Sequence, residues 1–325
     1  MLKTKLKIEI EGKTASWSFD VVSSCEITED VETLTDTCKL VLPEKIKWEG
    51  YENIPVTRGD KIKVWFGYEK PVLRFVGYVR TVGIKNPIEI DCEDGMFTLK
   101  QKSLKPTTLR ACKLSTLLAY LLEGTGYDYR VLDDVTLGNY RVTKPTAATQ
   151  LDDLKTEIGL RAYFRFIDGV SLLYVGFSYP VDNRQTQYFK YGHNLTVGDY
   201  DLNYQRREDM KLKIKATSMQ RDNKKIEVTT GDTDGEEVQV YKYDVSKKAL
   251  ELFATEMLNK YKYTGLTGSF GTLAEPIVHK TDMVVLELKN RKPERYLVKK
   301  VVLSFRAGNY AKQVITLGMP LELTN

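Results

Sequence analysis

The 325-residue chain is short of the side chains that most often carry chemistry. It has two histidines, His193 and His279, and four cysteines, Cys25, Cys38, Cys92 and Cys112, with no CxxC pair among them. Zinc sites draw on closely spaced Cys and His, so no metal centre is expected, and isolated thiols suit folding in a reducing cytoplasm. No stretch approaches the ~20 apolar residues of a membrane helix, which argues against stable membrane insertion. The opening MLKTKLKIEIEGKTASW alternates apolar with polar residues and has no apolar h-region, so no signal peptide is expected. Any extracellular destination would then be reached by lysis or a dedicated machine. Basic residues number 49 against 44 acidic ones, and no basic block stands out. A sequence-specific nucleic-acid partner normally needs a concentrated basic face, so none is expected.

What the chain does have is tyrosine, 20 residues of it. Tyr suits strands, where the ring covers a pleated face and the hydroxyl stays wet. Residues 1–103 read as strand after strand (KLKIEIEG, ASWSFDVVSSCEIT, DTCKLVLP, DKIKVWFGY, LRFVGYVRTVGI, PIEIDCED), the pattern of an antiparallel barrel or sandwich. The texture changes at 104–185. SLKPTTLRACKLSTLLAYLLEGTG carries a helical stripe from Leu114 to Leu122. A second helix fits TAATQLDDLKTEIG, and LRAYFRFIDGVSLLYVG is a hairpin turning at Asp168-Gly169. This segment is a small α+β module. Its leucine stripe could form a partner groove, but packing on its own hairpin is favoured. Strands resume over 186–325, with one inserted helix at about 246–262 capped by Ser246. The fold class is mainly β with an α+β insert.

No catalytic constellation emerges. Neither His193 nor His279 has a motif around it. GLTGSFGT lacks the lysine and following helix of a phosphate loop and reads as a flexible extended segment. GDTDGEE, with Asp232, Asp234, Glu236 and Glu237, misses calcium-loop spacing and reads as a solvated hairpin turn. Carboxylates gather at Asp91, Glu93 and Asp94 and at Glu26, Glu29, Asp30 and Glu32. Paired carboxylates can hydrolyse glycosides, but a charged strand edge is the favoured reading. No catalytic residue, metal or cofactor is assigned.

Two stretches repeat one pattern. RGDKIKVWFGYEKPVLRFVGYVRTV at 58–82 and KTDMVVLELKNRKPERYLVKKVVLSF at 280–305 each open on a turn ending in aspartate, Asp60 or Asp282. An alternating strand, a Lys-Pro turn and a second strand follow, with Phe75 and Val79 set against Leu297 and Val301. EDVETLTDTCKLVL near residue 29 and EDMKLKIKATSM near residue 208 look like weaker echoes. Arg-Gly-Asp at 58–60, which resembles a cell-adhesion tripeptide, is Lys-Thr-Asp in the second copy. The recurring feature is therefore the turn, built on Gly59 and Asp60 and on Thr281 and Asp282.

GDKIKVWFGY, LRFVGYV and IEIDCEDGMFTLKQ resemble the first domain of phage baseplate hub proteins, the Mu-like contractile-tail hub and late control D group. YGHNLTVGDYDLNYQRREDMKLKIKATS and the run from KYTGLTGSFGTLAEPIV to the C-terminus are similar to the same family. The resemblance implies two tail-tube-like antiparallel β-barrel domains, 1–103 and 186–325, flanking the module. It further implies a homotrimer whose six β-domains make a pseudo-sixfold ring around an axial channel. Such a hub is a structural, non-enzymatic virion component that joins a tail tube protein to the spike and to other baseplate proteins. It is assembled in the bacterial host cytoplasm. No spike domain follows the second barrel before Asn325, so a separate spike protein is expected. The rival expectations are a cell-wall or partner-binding module at 104–185 and a particle-borne peptidoglycan hydrolase using Glu93 or Asp94.

Overall fold

The computed structural model describes residues 4–13, 15–45, 48, 54–167, 169–177, 185–195, 200–307 and 311–321. The first unit contains β1 (Lys5–Glu11), β2 (Ser16–Phe19), β3 (Ser24–Asp30), β4 (Thr37–Val41), β5 (Lys61–Gly67), β6 (Val72–Val82) and β7 (Glu89–Glu93). These strands pair antiparallel in the order β3-β4-β7-β6-β5-β1-β2. Their alternation puts Ile8, Ile10, Leu40, Ile62, Val64 and Ile90 into one core and leaves the intervening lysines and glutamates outside. A short helix that the periodicity did not announce, α1 (Met96–Gln101), follows β7. Asp94 starts it by accepting the Met96 N–H at 3.0 Å.

The middle of the chain contains β8 (Thr107–Lys113), α2 (Leu114–Leu122), β9 (Asp128–Val131), β10 (Thr136–Val142), α3 (Ala147–Ile158), β11 (Arg161–Ile167) and β12 (Val170–Gly176). The helical stripe is confined to Leu114–Leu122. Residues 107–113, expected to lead into the helix, form β8 and pair with β10. The β-branched Thr107 and Thr108 favour this. Leu114, Leu117, Leu118 and Leu121 are buried against Phe164, Leu173 and Val175 of the β11–β12 hairpin, so no leucine groove is left open. The hairpin turns at Gly169, with φ +88°. Asp168, expected beside it, lies outside the described residues. Thr146 caps α3 by accepting the Thr149 N–H, and Gly159 ends it at φ +74°.

The remaining elements are β13 (Thr186–Lys190), β14 (Tyr200–Gln205), β15 (Leu212–Met219), β16 (Lys225–Gly231), β17 (Glu236–Tyr243), α4 (Lys247–Tyr261), β18 (Gly265–Leu273), β19 (Met283–Glu287), β20 (Glu294–Arg306) and β21 (Lys312–Leu321). Ser246 caps α4, as its sequence position suggests. The insertion between β14 and β18 is larger than one helix. β16, β15 and β17 form their own sheet, and α4 covers it through Leu250 and Ala254. Three expectations are corrected here. EDMKLKIKATSM supplies β15 of this separate sheet, so it is not the counterpart of β3 or β4. GDTDGEE is not a hairpin turn. β16 and β17 flank opposite sides of β15, and the loop passes the start of β15 with Asp232 and Glu236 donating to Leu212 and Lys211. GLTGSFGT is not a flexible segment but most of β18, held between β14 and β21.

β14, β18, β21, β20 and β19 make the second unit, and β13 joins β19 in parallel. The two units share one continuous sheet, because β3 pairs with β20.

Candidate assembly site at the junction of the two strand units

The repeated turn is the same object in both units. In the first, the Asp60 carboxylate accepts the Thr57 N–H at 2.8 Å, and the Asp60 N–H donates to the Thr57 carbonyl at 3.2 Å. In the second, Asp282 accepts the His279 N–H at 2.8 Å and donates its own N–H to the His279 carbonyl at 3.1 Å. Gly59 has φ +93° and Thr281 has φ +69°. Gly59 donates to the Val79 carbonyl and Thr281 to the Val298 carbonyl, while Asp60 and Asp282 accept back from Val79 and Val298. Arg58 and Lys280 hold the same place before the turn.

These bonds shift the equivalence expected from the sequence. Val79 corresponds to Val298, not to Val301, and Phe75 corresponds to Glu294, because Val64 faces Phe75 as Leu286 faces Glu294. The hairpin of the second unit is three residues shorter, a length change that alignment of the Lys-Pro turns conceals. A β-bulge confirms the new register. It falls after Val79 in β6 and after Val298 in β20, and Thr81 facing Asp91 then matches Lys300 facing Thr316.

The adhesion-like tripeptide is not displayed. Asp60 is buried and its carboxylate is engaged within the turn, while Arg58 lies over the Phe97 ring at 5.4 Å. A Cβ on Gly59 would meet open space, so the backbone alone sets the cost of substitution there. Gly59→Val should destabilise by about 1–3 kcal/mol, whereas Arg58→Ala should cost under about 1 kcal/mol. Thermal unfolding of the two variants checks this, and equal losses would contradict it.

At the junction, Lys300–Arg306 of β20 runs antiparallel to Ser24–Asp30 of β3, with Leu303 opposite Ile27. Leu303 belongs by sequence to the second unit but is buried in the core of the first. Phe305 follows it and packs on Phe66 at 5.6 Å between ring centroids. Tyr68 of the first unit donates its hydroxyl to the Ala311 carbonyl at 2.7 Å.

Beside this seam lies a buried ionic cluster. Lys280, almost fully buried, pairs with Asp36 at 2.6 Å. Asp36 in turn donates its N–H to Asp94 at 3.1 Å. Glu29 accepts from the Lys280 N–H at 3.1 Å and bonds His279 Nδ1 at 2.9 Å. From the α+β module, Arg165 approaches Asp282 at 3.7 Å. Burial pushes the Asp36 carboxyl up to about 8 against the pull of Lys280, with Asp94 and Glu29 adding to the rise. Burial likewise raises Asp94 to about 6. Burial also acts to raise Glu29, but His279, Lys280 and Arg74 outweigh it and hold this carboxyl at about 2. A cavity of about 380 Å3 opens here, lined by Arg74, Arg165, His279 and Lys280 among others. The cluster ties both strand units to the module.

Of the carboxylates considered for hydrolysis, Glu29 and Asp94 line this cavity, but both are already engaged, Glu29 by His279 and the Lys280 N–H. Asp94 is occupied by two backbone N–H groups, Glu93 by Lys100 at 2.8 Å, and Asp91 by Thr81 at 2.9 Å. Sequence reasoning missed Lys280, Asp36 and Arg165. The basic residue preceding both turns was the one available sign of Lys280. Among the described residues no group of His, Cys, Asp and Glu could hold a metal ion, and no helix is long and apolar enough to cross a membrane.

No family model and no curated protein matches the chain. Solved structures do. A tail protein from Neisseria meningitidis superposes with a TM-score of 0.62 at 13% identity, covering 97% of this chain and 96% of the other. The prophage MuSo2 tail protein from Shewanella oneidensis gives 0.61 at 13% identity, covering 97% of each. The chain has the tail-protein fold. An Escherichia coli protein described as a type VI secretion component, with structural similarity to two T4 bacteriophage tail proteins, gives 0.59 at 9% identity. There the match covers 97% of this chain and 77% of the other. At these identities the likeness is one of fold, and it includes both strand units and the module between them.

Proposed function

We propose that the chain is a structural subunit of a contractile phage tail baseplate or a related injection particle. Three copies form a hub whose six strand units surround an axial channel. The tail tube protein docks on one side and the spike on the other, with further baseplate proteins around them. One observation carries this reading: a single chain holds two copies of one strand unit, turn for turn and bulge for bulge, joined edge to edge. A threefold assembly of such chains presents sixfold-like symmetry to the tube and threefold symmetry to the spike. The tail-protein fold along the whole chain supports it. The role is assembly, and the buried cluster keeps the two units at a fixed angle.

Light scattering on the purified chain tests the assembly. The expected mass is three times the 37.2 kDa of one chain, together with co-sedimentation with the cognate tube protein. A stable monomer at micromolar concentration that ignores the tube protein would overturn the reading.

A further inference from the structure

The seam inside the chain leaves both of its halves available for use again. β3 is the last strand of the first unit, and its partner across the seam is β20. The counterpart of β3 in the second unit is β14. Cys25 faces Leu40 as Tyr200 faces Phe270, and Ile27 faces Cys38 as Leu202 faces Gly268. β14 has β18 on one side and, among the described residues, no strand on the other. The counterpart of β20 is β6. Through the shared bulge, Thr81, Val82, Gly83 and Ile84 correspond to Lys300, Val301, Val302 and Leu303.

The side chains follow the same logic. Leu303, buried opposite Ile27, corresponds to Ile84, which is fully exposed. Ile27 corresponds to Leu202, and Glu29 to Tyr204, itself half-exposed. At the two positions whose counterparts are engaged inside the chain, Ile84 therefore stands in water and Tyr204 stands half in water, one face of its ring covered by the Arg291 guanidinium at 4.2 Å. An open strand edge flanked by such residues is a site for strand addition.

We propose that the end of β6 of one copy adds antiparallel to β14 of a second copy of this chain, with Ile84 seated opposite Leu202. Continuing the register sets Val82 opposite Tyr204 and Lys85 opposite Asp201, a pair of opposite charge. β6 ends at Val82, whereas β20 continues to Arg306, so the contact between copies is shorter than the seam within each. Because each chain offers one edge of each kind, the contact is head-to-tail and closes into a ring when the rotation permits. This inference rests on the trimeric-hub reading and specifies which strands meet in it.

The test is a cysteine pair, Ile84→Cys with Leu202→Cys, in the full chain. The four native thiols are buried. Mild oxidation should link copies to one another, giving dimers and closed trimers on a non-reducing gel. Ile84→Cys with Tyr188→Cys should give none. Ile84→Asp should weaken trimerisation at least tenfold while leaving the melting temperature of the dissociated monomer unchanged. A trimer that forms without linkage at 84 and 202 overturns the strand assignment and leaves the hub reading standing. A chain that stays monomeric at every concentration ends both. Linkage of the introduced thiol at 84 or 202 to an added tail protein in place of a second copy would assign the edge to that protein and overturn the proposal.

Discussion

Lys280→Met is expected to destabilise the chain by about 3–5 kcal/mol above about pH 8, where Asp36 is ionised, the range for removing one partner of a buried ion pair. Methionine keeps most of the stem volume, so the loss reports charge more than packing. Lys280 faces Asp36 at 2.6 Å, and Glu29 accepts from its backbone N–H. Without the ammonium, these carboxylates lose their nearest buried cation. The effect has a pH signature. A carboxyl whose folded pKa is raised binds more protons folded than unfolded, so its contribution to stability falls as pH rises through that window. For Asp36 the window runs from 3.8 to about 8, and for Asp94 from 3.8 to about 6. Glu29, depressed from 4.5 to about 2, contributes stability above pH 4.5 that is lost as pH falls towards 2. The unfolding midpoint of the natural chain should therefore decline from about pH 5 to about pH 9. The penalty of Lys280→Met should shrink as pH falls below about 8 and Asp36 takes up its proton, and further below about 6 as Asp94 does. Adding Asp36→Asn to Lys280→Met should recover part of the loss, with a coupling of about 1–3 kcal/mol. Denaturant unfolding at several pH values checks each part. Additive single losses with no pH dependence would mean that the cluster is not coupled.

Leu303→Ala should cost about 2–5 kcal/mol, the ordinary price of a cavity at a buried leucine. Its location makes the consequence unusual. Leu303 is carried by β20 of the second unit but fills the core of the first. The substitution should loosen the seam between units before it melts either one. Limited proteolysis should show early cleavage near the junction, and hydrogen exchange should rise along Ser24–Asp30 before it rises in β18. Uniform loss of protection across both units would contradict that role for the seam.

Much of the fold could be read in the sequence because its strands alternate strictly. In β1 each core residue is flanked by a lysine or glutamate, in β5 Ile62 and Val64 each have a lysine beside them, and period two needs no tertiary information. α4 was legible for the same reason, from its cap and stripe. What failed was long-range. EDMKLKIKATSM alternates as well as any barrel strand, but alternation does not say which sheet a strand joins. GLTGSFGT looked unstructured because its glycines hide the period, whereas strands on both sides hold it in place as β18. The repeat was visible through its aspartates. Its register was not, because the Lys-Pro turns align in sequence while the hairpin lengths differ by three residues. The ionic cluster was largely hidden. Asp36 and Lys280 are far apart in the chain, and the seam that unites them forms only once both units are folded.

The central claim is that each chain contributes two equivalent strand units to a closed ring. Electron micrographs of the purified assembly, averaged in the view down its axis, test this most directly. The account predicts a particle of three chains with six similar lobes around a central hole. Three lobes, a filled centre or an open chain of subunits would contradict it.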